Sequence, residues 1–588
     1  MMYDSKGNEV DWSFIPTMGA CDIETTGLDY TKERITLLQF GIDEGDLQWY
    51  SEEPTIEDII ELSKRTLFWH NGKFDTKFIA YHYGIMLPIH GDSLVLLHAL
   101  GYDGRLKLKE AVMKLLGVPD WDIDDDTKLS KNLTPEGKLK LISYGLKDSK
   151  YTFALMRLLL TGVNSQVSDP TYNKNFNIID DLQYNVYNNE LKAYSAYRYI
   201  EMTGTPLGDM SIAQSTIEKQ ITDIENKWGF RFDWVNSSDK VGELIALVEP
   251  RLKKGANGKY SVTKDVLSEC IQEESDFVYD IKEVRKLMKL TQFFASWEKL
   301  GHDGRIFPQF NIATKTGRTS SSEPNLQQVP QNSLVRNVIA APKGMKFIEC
   351  DYSQLELRCA AYCAQEPSMI EAYKNDADLH SQTWFNMNNR PFSEDHDTAK
   401  RERTVAKAAN FSLLYGAQAS TLREYARSNM GLVMTEEEAN EYHAAFFRSY
   451  PGLLKWHTAC KNFVAAHGYI QSPLGRRRYL PDVYSNEWSK KQGAFRRSIN
   501  TPVQGLGSDI CVSAMTQILA HPEYGKTFFV HGTIHDAILV TALEDQAEHV
   551  AYDIIKYTME HPPILEHLPT QEGLYIVADV DISNCWGG

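Results

Sequence analysis

The hydrophobic pattern of this 588-residue chain changes twice along its length, and that change limits the possible folds more than any single motif does. In residues 1–165, short apolar runs with strand character alternate with stretches of helical period. The runs are Met18–Ile23, Ile35–Ile42 and Thr66–Trp69; the helical stretches are Ser93–Leu100, Lys107–Leu116 and Glu136–Leu160. Such alternation predicts an α/β domain, because elements in that order cover one another's apolar faces in layers. The polar stretch Gly162–Asn175 predicts a linker. From Ile178 to about Gly301 the pattern is long and helical, and from Gly304 onward it is mixed. The expected whole is an α+β multidomain chain without internal repeats.

Hydrophobic residues make up 42% of the chain, enough for large cores, and no run of 18 apolar residues occurs that could cross a membrane. The first eleven residues have neither the basic-then-apolar order of a secretory leader nor the Arg-rich character of a transit peptide. Eight scattered cysteines form no CxxC pair. Cys359 and Cys363, four apart, lack companion ligands and read as buried thiols of a reducing compartment. The net charge of −17 argues against nucleic acid as a partner when taken globally, but the local charge differs. Ile281–Ser320 holds eight basic against three acidic residues, and Gln471–Asn500 holds seven against two. Two basic tracts on an acidic body suit a protein that holds an anionic polymer in one cleft.

Asp22 and Glu24 follow an apolar run. In a strand, the period of two puts both side chains on one face, where they repel unless a cation lies between them. Asn71-Gly72-Lys73-Phe74-Asp75 follows a second short strand. In Tyr144-Gly145-Leu146-Lys147-Asp148, the spacing of four places Tyr144 and Asp148 on one helix face. Four carboxylates and a tyrosine are what two-metal phosphodiester hydrolysis requires, with two hard cations about 4 Å apart serving a water and a leaving oxygen. Magnesium and manganese favour such oxygen ligands. Asp122, Asp124 and Asp126 imitate the start of a calcium loop, but Thr127 and Leu133 stand where glycine and glutamate are needed. The segment therefore reads as a solvated loop.

A second carboxylate set follows. Lys346–Cys350 predicts a strand ending at Asp351, with a helix beginning in the residues that follow. Ser353 and Glu356 have capping-box spacing, so Glu356 can be a helix cap or a functional group. His535-Asp536 lies near a turn between the β-rich runs Thr527–Val530 and Ile538–Val540; Asp536 can serve the turn itself, or a cation shared with Asp351. Arg403, Lys407, Phe411 and Tyr415 recur every four residues and form one helical stripe, two cations then two aromatics. That order matches a triphosphate followed by a sugar and base, or else a solvated face that turns into core. Gly416 reads as the helix stop.

Together these strings resemble two known patterns. DIET, NGKFD and YGLKD resemble the DEDDy 3′–5′ exonucleases. DYSQLELR (Asp351–Arg358), Arg403–Gly416 and His535-Asp536 resemble motifs A, B and C of family A DNA polymerases. The TGR…SS…PNLQ segment (Thr316–Gln327), Leu379-His380, the GRRR element (Gly475–Arg478) and Pro502-Val503-Gln504-Gly505 agree with the second pattern. The resemblance covers nearly the whole chain from Ala20, in the order of the Klenow fragment of DNA polymerase I.

The resemblance implies a ribonuclease H-like exonuclease domain at 1–165, a linker and mainly helical thumb at 166–305, palm at 306–375 and 481–588, and fingers at 376–480. It implies that Asp22, Glu24, Asp75 and Asp148 ligate two metals while Tyr144 orients the attacking water and Asn71 and Leu28 touch the 3′-terminal nucleotide. It further implies that Asp351, Asp536 and the Tyr352 carbonyl hold two magnesium ions, replaceable by manganese. Arg403, Lys407 and His380 bind the triphosphate, with Lys407 as general acid. Glu356, paired with Tyr415, excludes a ribose 2′-hydroxyl, and Phe411 packs near the sugar. Arg318, Arg496, Asn500, Gln504 and His535 contact primer–template DNA. The implied partners are DNA, dNTPs and replisome proteins such as a helicase–primase or single-strand binding protein. The implied setting is a monomer in the cytoplasm of a bacterial host, copying a bacteriophage genome, or else a bacterial repair enzyme. Neither a 5′-nuclease domain nor a large processivity insertion between Gly162 and Gly301 is expected. One departure stands out: Ala537 occupies a position where the family usually has a third carboxylate.

Overall fold

The computed structural model describes residues 2–102, 105–162, 179–235, 237–248, 252, 254–255, 257–262, 276–312 and 314–588. The stretch expected to be a linker lies almost entirely outside the described residues.

The first part is built on a seven-stranded sheet: β1 (Met2–Asp4), β2 (Glu9–Val10), β3 (Met18–Thr25), β4 (Ile35–Gly41), β5 (Gln48–Ser51), β6 (Thr66–Trp69) and β7 (Gly91–Asp92), in the order β2-β1-β5-β4-β3-β6-β7. β3 pairs antiparallel with β4 and parallel with β6, so the strand carrying Asp22 and Glu24 is central. Helix α1 (Gly72–Tyr83) follows β6, and α2 (Pro135–Thr161) packs on β3 and β4. The limits of α2 are written in its sequence. Thr134 accepts a hydrogen bond from the Gly137 N–H, Pro135 opens the first turn, and Gly162 closes the helix at φ 74°. The short strands β1, β2 and β7 gave no sequence signal, because two or three residues are too few to show alternation.

Helix α3 (Asp181–Thr203) joins this part to the rest. The Glu201 carboxylate accepts from Lys73 and Lys77 of α1, each at 2.5 Å, and all three side chains are buried. Glu190 of the same helix meets His98 on one side and Arg476 on the other, and Arg476 also reaches Asp509. Tyr187, Tyr194 and Tyr197 of α3 belong to one apolar core that runs from the first sheet into the second part of the chain. Helices Ser211–Trp228, Ser238–Val248 and Asp276–Leu300 bear out the long helical reading. They share a separate core of Phe232, Val241, Ile245, Phe277 and Val284.

The second part is built on a four-stranded sheet: β8 (Met345–Tyr352), β9 (Phe528–Ile534), β10 (Ala537–Leu543) and β11 (Ala578–Ser583), in the order β9-β10-β8-β11. Helix α4 (Leu355–Ala364) leaves the end of β8. Helices α5 (Leu379–Asn388) and α6 (His396–Leu413) pack together, and α7 (Trp488–Leu519) crosses beside α3 and α4. The helix after Asp351 starts at Leu355, later than the sequence suggested, because Gln354 stands at its N-cap with φ 55° and no capping hydrogen bond. The proposed Ser353–Glu356 capping box is therefore not formed.

Candidate active sites

The first site lies at the centre of the seven-stranded sheet. β3 presents Asp22 and Glu24, and α2 brings Asp148 against them. One ligand oxygen from each of these three carboxylates lies within 4.8 Å of the other two. Asp75, in the first turn of α1, turns inward and accepts the Ile23 N–H at 3.0 Å. Burial, then the neighbouring carboxylates, hold Asp22 and Glu24 well above the ordinary carboxylate range. Burial raises Asp75 to about 8 and also raises Asp148. Four acids sharing a buried space repel one another unless positive charge enters. The buried Glu24 Oε1 has no hydrogen-bond partner among the described residues. An oxygen-only donor set with an orphaned buried oxygen fits hard divalent cations.

Three further side chains complete this site, and sequence reasoning missed them. The Lys109 ammonium donates to Tyr144 Oη at 2.6 Å, lies 4.3 Å from the ring centroid and reaches Asp148 Oδ2 at 3.5 Å. Trp121 Nε1–H donates to Asp148 Oδ1 at 2.5 Å. Lys128 stands 5.2 Å from the Tyr144 ring and pairs with Asp122 at 2.6 Å. The acidic segment read as a solvated loop is thus the rim of the site. Asp122 ties down Lys128, and Asp124 caps the short helix Asp125–Lys128. No motif marks Lys109, one lysine of an ordinary Lys107-Leu108-Lys109-Glu110 run. Asn71 sits at φ 64° before α1, its side-chain oxygen accepting from Tyr194 Oη at 2.6 Å, while Leu28 is 76% exposed.

The second site lies at the open end of the four-stranded sheet. β9 ends at Ile534 and β10 begins at Ala537, so His535 and Asp536 form a two-residue hairpin turn, with His535 at φ 56°. Asp351 pairs in register with Ala537 on one side and with Asp579 of β11 on the other. The pairing with Ala537 brings the 185-residue sequence gap between Asp351 and Asp536 down to neighbouring strand ends. The Asp351 side chain opens to the cleft, yet protein crowds its carboxylate. That crowding, then Asp536, Glu349 and Asp579, raises it to about 7. Asp536 is also raised, by burial. Asp579 is a further residue that no motif announced; only strand pairing brings it beside Asp351.

Beside the aspartates, the Glu356 carboxylate is clamped between the Tyr415 hydroxyl and the Arg318 guanidinium. The functional alternative for Glu356 thus has a geometry, and Arg318 points at Glu356 rather than into open space. On α6, Arg403, Lys407 and Phe411, with Thr404, are the partly exposed positions of a stretch from 403 to 413 that is otherwise buried, so the predicted stripe faces out of the core. Arg403 holds Asp378 at 2.5 and 3.2 Å. His380 is buried and accepts from Asn410 Nδ2 at 2.9 Å through Nδ1, and burial lowers it to about 4. The ring is therefore neutral, with its hydrogen on Nε2, and offers an N–H rather than a charge. Tyr352 is core, its hydroxyl donating to the Met559 carbonyl. Arg496, Asn500 and Gln504 recur every four residues on α7, and the buried Asn500 Oδ1 has no partner among the described residues.

Comparison with known proteins agrees with this build. The pattern of DNA polymerase family A matches residues 209–587, and that of 3′–5′ exonuclease matches residues 18–163. An editing nuclease joined to a template-copying enzyme is the class of protein these two sites define. The chain belongs to DNA polymerase family A and carries a 3′–5′ exonuclease domain. It is 27% identical to DNA polymerase I of Aquifex aeolicus over 569 residues, 94% of this chain and 93% of that one. It is 31% identical to DNA polymerase I of Pseudomonas aeruginosa over 59% of this chain, and 32% identical to the thermostable DNA polymerase I of Thermus aquaticus over 54%. Those matches span 38% of each of these two relatives. Among solved structures, the POL domain of Pol1 from M. smegmatis, in complex with DNA primer-template and dNTP, superposes with a TM-score of 0.76 at 21% identity, over 97% of this chain and 95% of that one. That likeness shows the shared fold.

Proposed function

We propose that the chain extends a primer 3′ end on a DNA template at Asp351 and Asp536, and removes mismatched 3′ nucleotides at Asp22, Glu24, Asp75 and Asp148. The observation that carries this reading is the pair of separate carboxylate clusters, one on each sheet. Magnesium, two ions per site, is the cation we assign to both, with the Tyr352 carbonyl as a further ligand in the synthetic one. When bound, the metals supply Lewis-acid charge for the attacking and leaving oxygens.

The remaining chemistry belongs to side chains. Arg403 and Lys407, one turn apart, face the triphosphate; Arg403 exchanges Asp378 for phosphate, and Lys407 hands a proton to the departing pyrophosphate. Neutral His380 donates its Nε2–H to a phosphate oxygen. Glu356 and Tyr415, joined by a hydrogen bond, form a wall where a ribose 2′-hydroxyl would lie, and Phe411 flanks the sugar. Arg496, Asn500, Gln504, His535 and, once released from Glu356, Arg318 face the primer–template. At the editing site, Asn71 and Leu28 face the terminal nucleotide. The Lys109 ammonium occupies a lone pair of Tyr144 Oη and the hydroxyl also pairs with Asp148, so the side chain that is to orient the attacking water is held from two sides.

By region we assign editing to 1–165, thumb to 166–305, palm to 306–375 and 481–588, and fingers to 376–480. Genome replication alongside a helicase–primase and a single-strand binding protein is the use we assign to the pair of activities. Long products on a primed single-stranded circle, lengthened by those proteins, are the expected result; products of a few nucleotides under all conditions would point to repair. No helix of the described residues is long and apolar enough to cross a membrane.

Two outcomes follow at single residues. Glu356→Ala opens the wall beside the sugar. Selection of dNTPs over rNTPs is expected to fall about 100-fold, the upper range for one steric contact in a pocket, measured by competing single-nucleotide incorporation. Lys109→Met removes a charge-assisted hydrogen bond of roughly 1.5–2 kcal/mol, so single-turnover excision slows about 10- to 30-fold while extension is unchanged. Lys109→Arg, which keeps the charge, should recover part of that loss.

A further inference from the structure

The face of the second sheet that carries Asp351 is acidic beyond the two aspartates already placed in the synthetic site. β11 is the edge strand beside β8, and its register sets Asp579 opposite Asp351 and Asp581 opposite Glu349. Directly paired residues project to the same face, so these four carboxylates lie together. Asp351, Asp579 and Asp581 are exposed, while Cys350, Tyr352 and Ala578, which alternate with them, are buried on the opposite face.

Opposed like charges destabilise a sheet. The outer pair is partly relieved, since Arg336 approaches Glu349 at 3.9 Å. The inner pair is not. Among the described residues neither Asp351 nor Asp579 makes an ion pair. Arg358 feels the Asp579 charge, but its guanidinium is spent on the Ser353 and Tyr575 carbonyls. On its other side Asp351 has Ala537 in register, which brings no charge.

Asp579 is nevertheless fastened in place. Ala578, the residue before it, donates its N–H to Glu560 Oε1 at 3.1 Å, and its carbonyl accepts from Lys556 Nζ at 2.6 Å. Lys556 and Glu560 pair with each other at 3.5 Å. Together they close the free edge of β11 at the level of the aspartates. Burial first, then Asp536, Glu349 and Asp579, holds the Asp351 carboxyl up, so the two opposed side chains interact. A local rule that is broken and then held fixed is expected where a site needs the charge.

We propose that Asp579 is a positioning residue of the synthetic site. Its carboxylate adds negative charge beside Asp351 and Asp536, so that the pair holds divalent cations at lower concentration. The proposal rests on the reading of those two aspartates as the synthetic pair. Magnesium-dependent extension by the parent chain tests that reading; comparison among variants tests this one.

The first readout is binding rather than turnover. A primer ending in a dideoxynucleotide joined through a phosphorothioate is neither extended nor excised. With fluorescent 2-aminopurine in the template, it reports capture of the matching dNTP as magnesium is titrated. The magnesium concentration at half-maximal capture should rise about 3- to 10-fold in Asp579→Asn, the effect of one charge about 6 Å from a divalent ion in water-like surroundings. The magnesium midpoint for primer extension should rise by the same factor, with the rate at saturating magnesium within about twofold of the parent. Asp579→Glu, which keeps the charge, should stay near the parental midpoint. Asp581→Asn removes an equal charge two residues farther along the strand and should shift the midpoint less than about twofold, because the added distance and salt weaken its field. The melting temperature without metal should hold or rise in Asp579→Asn, since a like charge opposite Asp351 is removed. An unshifted midpoint in Asp579→Asn, or an equal shift in Asp581→Asn, would overturn the proposal. So would a lowered melting temperature with slower extension at every magnesium concentration, the result a purely structural role predicts.

Discussion

Asp536→Asn is expected to extend a primer at least about a thousandfold more slowly than the parent chain, because roughly 4 kcal/mol of charge stabilisation leaves the reacting centre with one carboxylate charge. The substitution keeps the shape of the side chain and its place in the two-residue turn, so the hairpin of β9 and β10 should survive. Asp351→Asn should act in the same way from the neighbouring strand. The measurement is single-nucleotide incorporation under single-turnover conditions, with excision of a mismatched 3′ end recorded in parallel. Excision should continue, since no residue of the first carboxylate cluster is touched. Normal extension by the variant would sink the assignment of this aspartate and, with it, the reading of the second sheet as the synthetic centre.

The reciprocal experiment is Asp22→Ala with Glu24→Ala. Both residues lie on the central strand and share one face with Asp148, so their removal dismantles the cluster in which three ligand oxygens fall within 4.8 Å of one another. Removal of a mismatched 3′ nucleotide should fall about a thousandfold or more. Extension from a matched end should remain at the parental rate, and errors in a copied gap should accumulate. Folding should not suffer. Taking two mutually repelling carboxylates out of a buried site relieves charge in the metal-free protein, so the melting temperature without metal should hold or rise. Excision that persists in the double variant would place the editing chemistry elsewhere in the chain.

How much of this was legible in the sequence depended on the range of the interactions concerned. The strand Thr66–Trp69 and the helix Pro135–Thr161 were readable almost to the residue, because alternation, a threonine cap and a closing glycine are local signals. Asp22 with Glu24, and Tyr144 with Asp148, were readable because period two and spacing four fix a common face. The start of the helix after Asp351 was misjudged, since Gln354 takes a left-handed conformation that its identity does not announce. The residues that surround the reacting groups were silent. Lys109 and Trp121 reach Asp148 from other segments, and Asp579 stands beside Asp351 only through the pairing of β8 with β11. The rim of the first site was read as solvated loop because Asp122 and Asp124 look the same in sequence whether they face water or hold a lysine.

The helix that joins the two sheets carries a consequence for how such a chain can evolve. Glu201 is the shared counter-charge of Lys73 and Lys77, and Glu190 and Arg476 bind the same helix to the polymerase side. Cutting away the first sheet would strand a carboxylate in an apolar setting and strip the cover from a row of tyrosines, whereas silencing the cluster we propose for editing needs only a change at Asp22 or Glu24. A lineage that abandons error correction is therefore expected to keep the inert nuclease as a structural buttress, and its descendants should be recognised by eroded acids at positions 22, 24, 75 and 148 above an intact Lys73, Lys77 and Glu201.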